Sequence, residues 1–88
     1  MEGKNMERTE IVEIVVNEIS EIVGIDKEKI KPESSLMDDI GITSLEVLVL
    51  VGKLETLTGV SLNQQDTMEI ETVSDVVEAI IKKGQKNE

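Results

Sequence analysis

One stretch of this chain holds the residues whose types and spacing can do chemistry: Asp38-Asp39-Ile40-Gly41-Ile42-Thr43-Ser44-Leu45-Glu46. Thr43-x-x-Glu46 has the form of a capping box. The threonine hydroxyl accepts from the Glu46 amide, and the Glu46 carboxylate reaches back to the Thr43 amide. Thr43 is then the N-cap and Ser44 the first helical residue. A serine at that position is exposed and reachable, so its hydroxyl can receive a group delivered by another protein. Many helices begin this way, and the motif alone leaves an ordinary first-turn serine open. Ser34 and Ser35 lie nearby, but loop serines near a helix entry mostly bond locally. Asp38 and Asp39 are either solvated acids near a helix start or a feature read by a partner. They lack the Asp-x-Asp-x-Asp-Gly spacing of a calcium loop.

Composition narrows the chemistry further. Eighty-eight residues make one small domain over 1–88, with an ordered core at about 7–83 and polar tails at 1–6 and 84–88. There is no Phe, Trp or Tyr, so the core has to be built from Val, Ile, Leu and Met. The net charge of −10 without histidine argues against nucleic acid, whose phosphates call for clustered Lys and Arg. It favours basic partner surfaces. With neither Cys nor His, the chain has no thiol of its own, no usual zinc ligands and not the commonest general base. An independent enzyme with catalytic residues is therefore not expected. No apolar run is long enough to span a membrane and no leader is evident, which predicts a cytoplasmic protein.

The elements that must position Ser44 can be read from hydrophobic periodicity. Arg8–Val23 shows helical spacing, with Ile11, Val12, Val15, Val16, Ile19, Ile22 and Val23 on one arc and Ile14 alone on the polar side. Gly24 stops it. A long connection from Ile25 to Thr43 follows, and Ile25, Ile30, Leu36, Ile40 and Ile42 predict an ordered loop pinned to the core. A second helix is expected from Ser44 to about Thr58, closed by Gly59. Its core stripe is Val47, Leu50, Val51, Leu54 and Leu57. The opposite side carries Leu45, Leu48, Val49 and Gly52, so the helix is apolar nearly all round. A short segment around Gln65–Ile70 precedes a last helix that opens at Thr72-x-x-Asp75 and buries Val73, Val76, Val77, Ile80 and Ile81. Lys82 and Lys83 lie in its last turn. The fold class is all-α, a small four-helix bundle of three main helices plus one short helix.

In this order the elements resemble the acyl carrier protein family over about Glu7 to Lys83. The resemblance rests on Ile30-Lys31-Pro32-Glu33-Ser34-Ser35-Leu36, on Asp39-Ile40-Gly41-Ile42-Thr43-Ser44-Leu45, on Gly59-Val60 and on Thr72-Val73. It implies that Ser44 carries a 4′-phosphopantetheine arm, installed by a phosphopantetheinyl transferase from coenzyme A. The arm's thiol would hold acyl groups as thioesters for fatty-acid or specialised (polyketide-like or lipid) biosynthetic enzymes. The protein would be a carrier and a monomer, with no catalytic residue and no metal. A carrier of aminoacyl or D-alanyl groups for a ligase is the alternative on the same fold. An unmodified acidic adaptor is a third reading.

Two departures from the family pattern matter. Thr43 stands where the family usually has Asp, which keeps the N-cap and loses a negative charge beside the phosphate. The second helix has only Glu46 and Glu55 against Lys53, and Val49 stands where glutamate is common. Acid is concentrated later, at Asp66, Glu69, Glu71, Asp75 and Glu78. The partner face is therefore expected to comprise Asp39, Thr43, Leu45, Glu46, Leu48, Val49, Gly52 and Lys53. It would meet transferase, synthase or ligase surfaces that are basic or apolar.

Overall fold

Helix α1 (Arg8–Val23) buries Ile11, Val15 and Ile19, spaced four residues apart so that they stack on one side. The computed structural model to which these residues belong describes residues 6–84. Among them α1 is followed by α2 (Ser44–Thr58), α3 (Gln64–Met68) and α4 (Val73–Gly84). α1 is rich in β-branched residues, which are modest helix formers on their own; burial against its neighbours holds it. It packs against both α2 and α4. That double contact widens the covered arc, so Ile14 is half-buried against the core rather than solvated. Met6, expected in a polar tail, is also half-buried there. The remaining tail residues, 1–5 and 85–88, lie outside the described residues.

α2 contributes Val47, Leu50 and Leu54 and α4 contributes Val73, Val76, Val77 and Ile80 to the same core. Leu57 departs from expectation, at 48 % exposure. It follows Leu54 by three residues and so sits about 60° round the helix, at the rim of the buried arc and in the last turn.

The long connection after α1 is more structured than a loop. Lys27–Lys29 forms a 3-10 turn, and Leu36–Ile40 forms a wide helical turn. In the wide turn the Ile40 amide donates to Ser35 O and the Gly41 amide to Leu36 O, both five residues back. Gly41 takes φ 87° there, a left-handed conformation that favours glycine. The segment is stitched to Glu71 and to the first two residues of α4 by three backbone bonds. Leu36 N–H donates to Glu71 O (2.9 Å), Val73 N–H to Ser34 O (3.1 Å) and Ser74 N–H to Pro32 O (2.8 Å). Ile30, Leu36, Ile40 and Ile42 are buried, as expected, and Ile25 is half-buried.

α3 is tied to α4 by an ion pair, Lys83 Nζ to Asp66 Oδ2 at 3.1 Å. The Asp66 carboxyl is held below its ordinary pKa, first by the Asn63 N–H that donates to it (3.0 Å) and then by Lys83. Arg8 pairs with Glu78 across α1 and α4, but both side chains are more than half exposed, where such pairs contribute little. No helix among the described residues is long and apolar enough to cross a membrane.

Two outcomes follow. A methyl group on Gly52 would meet no atom within 4 Å. Gly52→Ala is therefore expected to stabilise by about 1 kcal/mol, raising Tm by roughly 4–8 °C in a domain of this size, measurable by circular dichroism. For Asp66, a pKa lowered on folding stabilises the folded state above the ordinary carboxylate value. The contribution is lost as pH falls through the lower folded value. Amide protection across residues 64–70, taken as the exchange rate of the unstructured chain at the same pH divided by the observed rate, should therefore fall below about pH 4 in the wild type. Asp66→Asn should remove that pH dependence.

Candidate functional site

The start of α2 is built by its cap. Thr43 is extended (φ −90°, ψ 167°), and its Oγ1 accepts from the Glu46 amide at 3.1 Å while its own amide donates to Glu46 Oε1 at 3.0 Å. The capping box expected from Thr43-x-x-Glu46 is thus present in both directions. It is made by Thr43 and Glu46, which leaves the Ser44 hydroxyl out of the capping bonds. Ser44 is the first helical residue and is exposed, two residues after the buried Ile42. The chain therefore passes from core to surface within one turn. The partial positive charge of the helix N-terminus lies at that point and favours an anionic group such as a phosphate.

The alternative serines are engaged. Ser34 is 92 % covered, at 8 % exposure, and its Oγ accepts from the Lys31 amide at 3.0 Å. Ser35 caps the wide turn, its Oγ accepting from the Asp38 amide at 3.1 Å and its amide donating to Asp39 Oδ2 at 2.7 Å. This second reciprocal cap went unread in the sequence. The signal was there in Ser35-x-x-x-Asp39, but the five-residue hydrogen bonding stretches the usual cap spacing by one. Asp39, expected on the partner face, is exposed and also holds its own turn; Asp38 is exposed beside it.

The other partner-face residues divide by exposure. Leu45 (71 %), Leu48 (60 %) and Val49 (47 %) are open to solvent rather than packed inside the domain. Gly52 and Lys53 are exposed and Glu46 is half-buried. Helical spacing sets Leu45, Leu48, Val49 and Gly52 opposite Val47, Leu50 and Leu54, and the strip begins next to Ser44. The later acids collect elsewhere. Asp66, Glu69, Asp75 and Glu78 line a groove of about 460 Å³ between α3 and α4, floored by Ile70 and Ala79 and shared with Lys82 and Lys83. That groove does not include Ser44 or α2.

Known proteins match this arrangement. A family model described as the phosphopantetheine attachment site matches residues 13–80. The acyl carrier protein of Thermotoga maritima is 40 % identical over 76 residues, 86 % of this chain and 94 % of that protein. The acyl carrier protein of Syntrophobacter fumaroxidans is 37 % identical over 75 residues, 85 % of this chain and 88 % of that protein. Among solved structures, the Thermotoga maritima acyl carrier protein superposes with a TM-score of 0.77 at 26 % identity, covering 94 % of this chain and 96 % of that one. The acyl carrier protein of Enterococcus faecalis gives a TM-score of 0.76 at 28 % identity, covering 89 % and 99 %.

The cap yields a direct test. Thr43→Ala removes the acceptor for the Glu46 amide and is expected to destabilise by about 1 kcal/mol, whereas Thr43→Asp, also a strong N-cap, should stay within a few tenths of wild type. Urea unfolding of the three proteins measures both.

Proposed function

This chain belongs to the acyl carrier protein family, and we propose that Ser44 is the residue to which its prosthetic group is attached. The protein carries a covalently bound 4′-phosphopantetheine and works with transferase and synthase enzymes; it is a carrier and not an enzyme. What carries the choice of Ser44 is its exposed hydroxyl at the head of α2, outside the capping bonds made by Thr43 and Glu46. Ser34 and Ser35 have their hydroxyls committed to local amides.

The residues present fit the group. Attachment forms a bond between Ser44 Oγ and the phosphorus of the pantetheine phosphate. The pyrophosphate bond of coenzyme A breaks, adenosine 3′,5′-bisphosphate leaves, and the hydroxyl proton passes to the transferase. The product phosphodiester carries one negative charge at a helix N-terminus, where the backbone favours it. When bound, the group supplies the thiol on which cargo is held as a thioester, which agrees with a chain that has no cysteine. The protein's own part is to hold Ser44 in the open and to present a docking face.

That face supports the finer reading. Leu45, Leu48 and Val49 are exposed and α2 carries few acids, which favours partners with apolar as well as basic docking surfaces. Acyl thioesters for fatty-acid or specialised lipid or polyketide-like synthesis are the cargo in this reading. The protein acts in the cytoplasm as a monomer.

Intact mass before and after incubation with coenzyme A and a broad-specificity phosphopantetheinyl transferase tests the attachment. The wild type should gain one phosphopantetheine and Ser44→Ala none. A gain by Ser44→Ala would overturn the assignment. Loading the modified protein with acyl-coenzyme A against amino-acid ligase systems then separates acyl cargo from an aminoacyl or D-alanyl one.

A further inference from the structure

The groove between α3 and α4 takes no part in presenting Ser44, since none of its lining residues comes from α2 or from the connection before it. Its volume, about 460 Å³, falls in the range of binding pockets, roughly 300–1,000 Å³. Ile70 and Ala79 on its floor, with Ile81, are half-buried. They keep part of their apolar surface in water, and a side chain seated on them removes it. Four carboxylates line the groove against Lys82 and Lys83, and Arg8 from α1 pairs with Glu78, so it stays net negative. Asp66 is paired with Lys83. Glu69 accepts from the neutral Gln65 side-chain amide (3.2 Å), and Asp75 accepts from the backbone amides of Glu71 (2.9 Å) and Thr72 (3.0 Å). The charges of Glu69 and Asp75 are thus met by neutral donors among the described residues.

We propose that this groove is a second docking surface, which takes an apolar side chain flanked by lysine or arginine on a segment of a partner protein, so that one partner holds the carrier at α3 and α4 while Ser44 stays open to another. An apolar side chain covers the floor, and the long stem of a Lys or Arg lies over apolar surface while its head reaches Glu69 or Asp75. Charge complementarity of this kind sets both the choice of partner and the rate of encounter. Nucleic acid and anionic lipid are repelled by the same acids. A second copy of this chain fits poorly. It carries −10 overall, and its densest group of cations, the exposed Lys27, Lys29 and Lys31, has its one apolar neighbour, Ile30, buried in its own core. Those lysines therefore bring no side chain to seat on the floor. The size of the protein allows two partners at once. Its surface of 5717 Å² has room for two contact patches of ordinary size, roughly 800 Å² each. The proposal concerns residues 66–83 and does not depend on which serine bears the arm.

The test is calorimetry and amide shift mapping by NMR on the full-length protein, modified and as Ser44→Ala, at about 0.15 M salt to screen distant charges. The probe is a twelve-residue peptide that repeats Leu-Lys-Lys-Leu three times. Its control repeats Ser-Lys-Lys-Ser, with the same charge and no apolar side chain. The leucine peptide is expected to shift amides within residues 66–83 and to bind both forms of the protein equally, and the serine peptide about tenfold more weakly. Glu69→Lys should weaken binding about fivefold and Ala79→Leu, which fills the floor, about tenfold. Glu13→Lys, the same charge change on the exposed side of α1, should stay within about twofold of wild type. Phosphopantetheine transfer to the unmodified wild type should keep its rate within about twofold when the peptide is saturating. Circular dichroism verifies folding; should Ala79→Leu fail to fold, Glu69→Lys decides alone. Absence of binding, shifts spread over α1, equal binding of the serine peptide or an equal loss in Glu13→Lys each overturns the groove as a site. A saturating peptide that stops the transfer overturns simultaneous docking. A dimer in sedimentation equilibrium that Glu69→Lys dissolves assigns the groove to a second copy and overturns the partner. A wild type that gains no phosphopantetheine overturns the attachment site alone, because binding to Ser44→Ala still decides the groove.

Discussion

The burial of Leu36, Ile40 and Ile42 fixes where α2 begins, and everything at the surface around Ser44 follows from that. These side chains belong to the connection, not to a main helix, yet each is at most 8 % exposed. Burying an aliphatic side chain of this size contributes about 1.5–3 kcal/mol, against about 1 kcal/mol for a helix cap. The anchors therefore set the position, and the cap sharpens it. Once Ile42 is in the core, the next residues have to turn outward. Thr43 is extended and Ser44 emerges at the head of the helix. The three backbone bonds to residues 71, 73 and 74 hold the same segment from the far side. The connection is thus gripped between α1, α2 and the entry to α4.

A core without aromatic rings makes this arrangement more exacting. Val, Ile and Leu have no large flat surface with which to fill a gap, so the interior relies on many small branched contacts at close packing. That favours a single register of α1 against α2 and α4. It also explains why the charged surface does little to define the fold. The Arg8–Glu78 pair is more than half exposed on both sides. The Asp66–Lys83 pair is better covered and aligns the short α3 with the last turn of α4. Acid is spent there and on the wide turn, and the outward side of α2 is left largely neutral.

Most of the fold was legible in the sequence because most of its signals are local. The bounds of α1 and α2 follow from Gly24, Thr43-x-x-Glu46 and Gly59, and each of those residues acts on neighbours within five positions. Thr72 and Asp75 open α4 in the same reciprocal way. The misses share a different cause. The Ser34–Leu36 pairing with residues 71–73 joins segments more than thirty residues apart, and no pattern in either segment announces the other. Ile14 is half-buried because α1 touches two helices at once. Leu57 is half exposed because it sits at the rim of the buried arc of α2. At the site, the exposure of Ser44, Leu45, Leu48 and Val49 agrees with their place on the wheel. The double duty of Asp39 was hidden, since a carboxylate that bonds four residues back in a wide turn looks in sequence like any surface acid.

Thr43 shows how one substitution separates fold from recognition. The family resemblance would place Asp there, and either residue accepts the hydrogen bond that starts the helix. With a phosphodiester on the adjacent serine the two differ. A carboxylate next to the phosphate would repel it, and it would also offset the favourable field of the helix end. A threonine keeps the cap and removes both effects, so the attached group is easier to accommodate. The same change takes away a charge that an approaching enzyme would otherwise read beside its target hydroxyl. What stays exposed near Ser44 is Asp38 and Asp39 on the wide turn and Leu45, Leu48 and Val49 on α2. A neutral cap and a largely apolar outer side of α2 are therefore compatible with the same helix start, because the fold tolerates the loss of acid near the serine.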